Sequence, residues 1–282
     1  MMAGGRGLGR RFLRLYLPLG FFLVAMLFPF YWMAITSIKP NRELYNPRIM
    51  PLIVHQPVLT HYVDLLDQTN FLTWTYNTML VAVVTTVVSL VLGAMMAYPL
   101  ARTNFPGAAI VAIGVAATYL VPQPLLFIPM SDIINRLDLG NTLSAVMLTY
   151  PTLLIPFCAW LLMGYFKSVP RELEEAARID GASRFQAMVQ IVLPLCTPGL
   201  LSAGIFAFTL AQNEFLYALI FLTKSDVRTV PVGAITELIR GDVFYWGQLM
   251  AAALLGSVPV AVIYSFFVDY YVAGLTAGSV KS

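Results

Sequence analysis

The one long polar stretch in an otherwise apolar chain, Lys167–Pro194, holds the residue types and spacing that could support specific chemistry. It reads KSVPRELEEAARIDGASRFQAMVQIVLP, with Glu174 and Glu175 followed by Ala176, Ala177, Arg178, Asp180, Gly181 and Ala182. The chemistry on offer is recognition. Small side chains allow close approach to a groove, while acids beside Arg178 and Arg184 fix register on a charged partner. Catalysis has no comparable footing. The sequence has no G-x-x-x-x-G-K-[ST] loop to cradle phosphates, no nucleophile–base pair and no carboxylate dyad. His55 and His61, with no cysteine nearby, are a poor metal set and read as solvated loop histidines. A second feature is Glu214, the one carboxylate well inside an apolar run. A charge at mid-membrane costs at least about 2.5–3.5 kcal/mol on insertion scales, so it should face a cavity or a partner helix. Asn213 beside it could hydrogen-bond hydroxyl groups, and Tyr119 and Tyr217 could stack on rings. A position nearer the interface, with Glu214 paired to a neighbouring helix or protonated, is the structural alternative.

The polar segment should fold as two short helices around a corner. Ser168 and Pro170 open the first, with Pro near the turn where a missing N–H costs nothing. Glu172, Glu174 and Glu175 then sit near the positive end of the helix dipole. Leu173, Ala176, Ala177 and Asp180 share one face. Gly181 should stop this helix, since glycine takes a left-handed conformation without a side-chain penalty. Ser183 can cap the second, in which Phe185, Met188, Val189 and Val192 make an i, i+3, i+4, i+7 stripe; Pro194 should end it. By pattern alone, a charged hairpin lying on lipid headgroups fits as well as one gripped by a partner.

Composition sets the solvent for these elements. Of 282 residues, 59% are hydrophobic and 11% charged, against about 25% charged in soluble domains. The chain should be an all-α integral membrane protein, because the apolar runs are continuous and lack the alternation of barrel strands. A span needs about 20 apolar residues, and six runs qualify: 15–37, 76–101, 108–131, 141–165, 198–222 and 248–270. The polar loop 167–194 then falls between spans 4 and 5 of a single domain, residues 1–282. Ten of the 17 Lys and Arg lie on the side holding that loop, Arg6, Arg10, Arg11 and Arg14 among them, which places both termini in the cytoplasm. The net charge of +3 therefore means contact with the inner leaflet, not nucleic acid. The first apolar run is too long for a signal peptide and is read as a retained helix. Cys158 and Cys196 read as buried apolar residues, Asp269 as interfacial, and Tyr245 and Trp246 as membrane-belt aromatics. A short helix from Pro231 to Ile239 is expected to lie on the surface.

The full spacing Glu175-Ala176-Ala177-x3-Gly181-x9-Ile191-x-Leu193-Pro194 resembles the cytoplasmic coupling loop of permease subunits of binding-protein-dependent ABC importers. Asn77–Arg102 with Phe105-Pro106-Gly107, Asn213-Glu214-Phe215, and the terminal VAGLTAGSVKS are similar to the carbohydrate-uptake, maltose-permease-like branch. One departure is Gln212, where such permeases often carry Trp. The resemblance implies a bacterial cytoplasmic (inner) membrane permease that forms half a pathway for a sugar, oligosaccharide or polyol. Its implied partners are a second homologous permease, two cytoplasmic ATPase subunits and an extracytoplasmic solute-binding protein on the loops 39–75 and 223–247. ATP and Mg would be bound by the ATPases, so no cofactor is expected on this chain. Glu174 to Arg178 and Asp180 to Ala182 would be the ATPase-coupling residues, and Asn213, Glu214, Tyr217 and Tyr119 the solute-pathway residues.

The alternative is an ion-coupled secondary transporter, which calls for buried acids or broken helices in repeated halves. One candidate acid and no obvious repeat weigh against it. A membrane enzyme has no visible catalytic group.

Overall fold

The computed structural model describes the backbone of residues 12–277 and side chains from 14 to 268. Arg6, Arg10, Arg11, Lys281, residues 278–282 of the terminal motif and the Asp269 side chain lie outside them. The helices in chain order begin α1 (Leu17–Ile38), α2 (Asn41–Leu44), α3 (Thr60–Gln68), α4 (Phe71–Arg102), α5 (Ala108–Tyr119) and α6 (Gln123–Arg136). They continue as α7 (Leu143–Thr149), α8 (Pro151–Ser168), α9 (Arg171–Ile179), α10 (Arg184–Ala187) and α11 (Leu193–Leu195). The last are α12 (Thr197–Asn213), α13 (Leu216–Phe221), α14 (Val230–Leu238) and α15 (Trp246–Ala277). A two-stranded hairpin of Ile239–Arg240 and Val243–Phe244 precedes α15.

Four stretches are long and apolar enough to cross a bilayer: Arg14–Ile38, Phe71–Arg102, Leu143–Ser168 and Trp246–Val268. Two sharply bent pairs, Ala108–Tyr119 with Gln123–Arg136 and Arg184–Leu195 with Thr197–Asn213, raise the number to as many as six. Their outer faces are bare hydrocarbon: Phe21 and Val24 are each 69% exposed, and Phe266 and Ile110 each 76%. Water would not tolerate so much contiguous apolar surface, whereas lipid or a partner helix would.

Besides 141–165, which divides into α7 and α8 at Tyr150 but continues as one stretch, two of the six apolar runs are broken. The run 108–131 divides into α5 and α6, which meet at 94°. The break falls at Pro122, whose ring supplies no backbone N–H and pushes Val121 out of the helical region. The run 198–222 divides into α12 and α13 at Glu214, whose backbone is extended (φ −65°, ψ 127°). No proline causes this second break. Non-helical backbone at membrane depth survives only where it is buried in protein or lines a cavity, and both breaks border the cavity described below.

The chain forms two compact units, Met1–Phe71 with Ala234–Val258, and Leu72–Gly233 with Pro259–Ser282. The larger unit has its core around Val81, Ala82, Tyr150, Leu154, Phe208 and Tyr217. A second cluster joins Ala97, Tyr98, Leu162, Phe166, Met188 and Val192. At Gly93, α4 and α8 pack closely: a β-carbon there would lie 2.7 Å from the Cβ of Cys158. Small residues are what let membrane helices approach so closely. Cys158 and Cys196 are buried and unbridged, as their apolar settings suggest. In the same unit, Trp74 donates through Nε1 to the Ser225 carbonyl (2.8 Å), and Asn77 donates to the carbonyls of Asp226 and Arg228. These bonds tie the loop after α13 to the start of α4. The helix α14 is not a bare surface element, since Val232 and Leu238 are each 1% exposed.

In the smaller unit, one expectation about histidine is overturned. His61 is 4% exposed, with Nε2 2.7 Å from the Lys39 carbonyl, so it is a packed group and not a solvated one. Its ring occupies the space that a side chain at Gly247 would need. His55 does stay in solvent, beside Glu43 at 3.6 Å. Burial pushes the Glu43 carboxyl up, but the amides of His55 and Gln56 and the His55 ring outweigh it and hold the group below its ordinary value. A depressed folded pKa stabilises above the unfolded pKa, and that contribution is lost as pH falls through the folded value. Pepsin cleavage of the 39–59 connection in detergent should therefore accelerate as pH drops below about 4, the ordinary carboxylate range. Glu43→Gln should flatten that dependence; an unchanged profile would exclude the carboxylate as its source.

Candidate functional site

The elbow between α8 and α12 is built from local rules. Pro170 is the N-cap of α9, and Glu172 and Glu174 occupy its first turn. Ser168 does not open this helix; it closes α8, with its hydroxyl bonded back to the Tyr165 carbonyl at 2.7 Å. At the other end, the amide of Ala182 donates to the Ala177 carbonyl (2.9 Å) and that of Gly181 to the Arg178 carbonyl (3.2 Å). This six-to-one, five-to-two pair is the Schellman arrangement, with Ala177 and Ala182 at its two hydrophobic positions. It requires a left-handed residue at Gly181, whose φ is +96°. The Ala-Ala-x3-Gly-Ala spacing is thus a helix stop written in sequence.

The second helix starts on a complete capping box. The Ser183 hydroxyl accepts from the Gln186 amide (3.2 Å), and the Gln186 side chain accepts from the Ser183 amide (2.8 Å). Beyond it the chain widens into a π-turn over Met188–Val192. The expected four-residue stripe splits. Met188 and Val192 are buried, whereas Phe185 is 63% and Val189 42% exposed. Pro194 does not end the helix either; it lies within α11, and the chain turns at Cys196.

Burial sorts the elbow residues into two faces. Glu175, Ala176, Arg178, Asp180 and Gly181 are exposed, and Ala177 and Ala182 half-buried. Leu173 at 45% and Ile179 at 86% are apolar and open on the same helix. Glu174 turns the other way. Its side chain is 13% exposed, in ion-pair contact with Arg102 (Nε–Oε2 3.1 Å, without hydrogen-bond alignment), and it accepts from the Tyr98 hydroxyl. Sequence reasoning missed Arg102 and Tyr98 as members of this site. Arg102 stands at the end of a long apolar run and was countable there only as one more positive charge.

The second candidate set converges on a cavity of about 610 Å³. Tyr119, Gln123, Tyr150, Thr209, Asn213 and Glu214 are among its lining residues. Three of the four predicted pathway residues are thereby brought together: Tyr119 at the end of α5, Asn213 at the end of α12, and Glu214 at the break. Tyr217 is not among them. It is fully buried against Phe221, because the break turns the following helix into the core. Glu214 is 9% exposed, and its oxygens accept from the amides of Tyr217 (3.0 Å) and Ala218 (3.2 Å). A carboxylate deep in an apolar run thus satisfies the first free amides of α13. Asn213 is exposed, with its amide donating to the Thr209 carbonyl at 2.9 Å.

Long apolar helices joined by a polar elbow, with broken helices around a cavity, define an α-helical membrane permease. Residues 89–276 match the family of binding-protein-dependent transport system inner membrane components, and the chain belongs to it. The chain is 37% identical over 260 residues to the sulfoquinovosyl glycerol transport system permease protein SmoH of Agrobacterium fabrum, spanning 92% of this chain and 90% of that one. It is 35% identical over 273 residues to the trehalose/maltose transport system permease protein MalG of Thermococcus litoralis, spanning 95% and 97%. In fold it is similar to a chain of a bacterial ABC transporter that imports the acidic polysaccharide alginate. The TM-score is 0.78 at 21% identity, over 96% of this chain and 100% of the other. The chain is a permease subunit of an ABC importer, and the ion-coupled alternative is left without support.

Proposed function

We propose that this chain forms half the translocation pathway of an ATP-driven importer for a sugar, oligosaccharide or polyol. The sulfoquinovosyl glycerol permease SmoH and the trehalose/maltose permease MalG support a carbohydrate-like solute. A 610 Å³ cavity lies within the roughly 300–1,000 Å³ range of small-ligand pockets. In this reading six spans cross the cytoplasmic membrane: α1, α4, α5 with α6, α7 with α8, α12 with α13, and α15. Both termini and the loop 167–194 face the cytoplasm. A second homologous permease completes the pore, and a solute-binding protein docks on the outer connections. Two ATPase subunits bind ATP and Mg and receive the elbows. This chain itself carries no catalytic group, and nucleotide-driven movement of the elbows rocks the spans between inward- and outward-open states.

The observation that carries the proposal is the outward face of α9, where apolar Leu173 and Ile179 lie open beside Glu175, Arg178 and Asp180. Apolar side chains open beside charges support docking on a partner at this face. A cysteine at Ile179 carrying a short crosslinker should capture an ATPase subunit in native membranes. Capture from the opposite, extracytoplasmic side only, or none at all, would overturn the docking role.

A further inference from the structure

We infer that Arg102 is a positioning residue that binds the elbow to the inner end of α4 and carries docking movements into the span. The inference rests on the elbow being the docking surface. Its own evidence lies on the opposite face of α9. The Arg102 side chain is 3% exposed, yet it reaches three points of the elbow's start. Nη1 donates to the Val169 carbonyl at 2.8 Å, Nη2 lies 3.5 Å from the Pro170 carbonyl, and Nε contacts the Glu174 carboxylate. One turn earlier on α4, the Tyr98 hydroxyl reaches Glu174 and lies 3.2 Å from the Arg184 carbonyl. Two residues on one face of α4 thus hold the cap of α9, its first turn and the start of α10.

The remainder of α9 offers little else to hold. Arg171, Glu172, Leu173, Glu175, Ala176, Arg178 and Ile179 are all exposed, which leaves Glu174 as the inward acid. A buried ion pair of this kind contributes little net stability compared with an apolar pair of the same shape, but it fixes geometry, and losing one partner strands a charge. Cutting it should free α9 to follow an ATPase without pulling α4 along. Glu174 accordingly acts through Arg102, whereas Glu175 faces outward.

The test uses the complete transporter in proteoliposomes, with the Ile179 crosslink and the stimulation of ATP hydrolysis by solute-loaded binding protein as parallel readouts. Arg102→Ala should keep the crosslink to the ATPase yet lose stimulation roughly tenfold, within the range of about 5- to 150-fold typical of site–site coupling. Arg102→Lys, which keeps the charge and a donor, should recover part of it. In Arg102→Cys/Glu174→Cys, a short thiol-reactive bridge should restore stimulation, and reductive release of the bridge should remove it again. Stimulation retained in Arg102→Ala, or a bridge that restores nothing, would overturn the inference. Loss of the crosslink together with stimulation would also overturn it, because Arg102 would then merely fold the elbow. If the wild-type chain gives no crosslink, the docking reading itself falls, and this one with it.

Discussion

Replacing Gly181 with isoleucine is expected to reduce solute-stimulated ATP hydrolysis to the unstimulated level while the chain still inserts in the membrane. The corner of the elbow has φ +96°, and a β-carbon there would meet nothing within 4 Å. The penalty is therefore in the backbone and not in a clash. A left-handed conformation costs an ordinary L-residue about 1–2 kcal/mol, and a β-branched residue there is a genuine outlier. The chain can escape only by leaving that conformation, which breaks the Gly181-to-Arg178 and Ala182-to-Ala177 bonds. With them goes the fixed angle between the α9 docking face and the capped start of α10. Gly181→Asn should lose less, because Asn enters the left-handed region several-fold more readily than other residues. The measurement is ATPase activity in proteoliposomes with and without solute-loaded binding protein, beside a protease map of the inserted chain. Full stimulation in Gly181→Ile would show that the corner does not matter for coupling.

That corner was legible in sequence because its code is local. A glycine after two alanines and a serine two residues later specify a stop and a start, whatever surrounds them. The same holds for the apolar runs that became α1, α4 and α15. What stayed hidden depends on tertiary neighbours. Nothing within a few residues of His61 indicates that its ring would pack over Gly247. Arg102 meets Val169 and Glu174 only because α4 returns to the elbow after about seventy intervening residues, a separation no spacing rule covers. The inward face of the second elbow helix is Ala187, Met188 and Val192, set by its neighbours and not by the apolar stripe that includes Phe185 and Val189. The break at Glu214 was the hardest to see, for the run 198–222 has no proline near that point and its polar cluster Gln212-Asn213-Glu214 does not by itself specify a break.

Glu214→Ala should therefore damage both the fold and transport, and two further variants separate those effects. Its oxygens are the acceptors for two amides at the start of α13, and the residue is only 9% exposed. A buried polar group left without its partner costs about 1–3 kcal/mol. The loss of both should lower the thermal stability of the purified complex and reduce uptake. Glu214→Gln keeps one of the two acceptor oxygens and sets an amide donor in place of the other, so it should lose less stability than Glu214→Ala. Any remaining change in solute preference then reports on the charge. Asn213→Ala removes a group that is exposed and bonded only within its own helix turn by its Nδ2. It should leave stability alone and alter solute affinity. Uptake of every tested sugar and polyol unchanged in both Glu214→Gln and Asn213→Ala, with Glu214→Ala merely unstable, would assign Glu214 to the architecture of the break and remove both residues from the pathway.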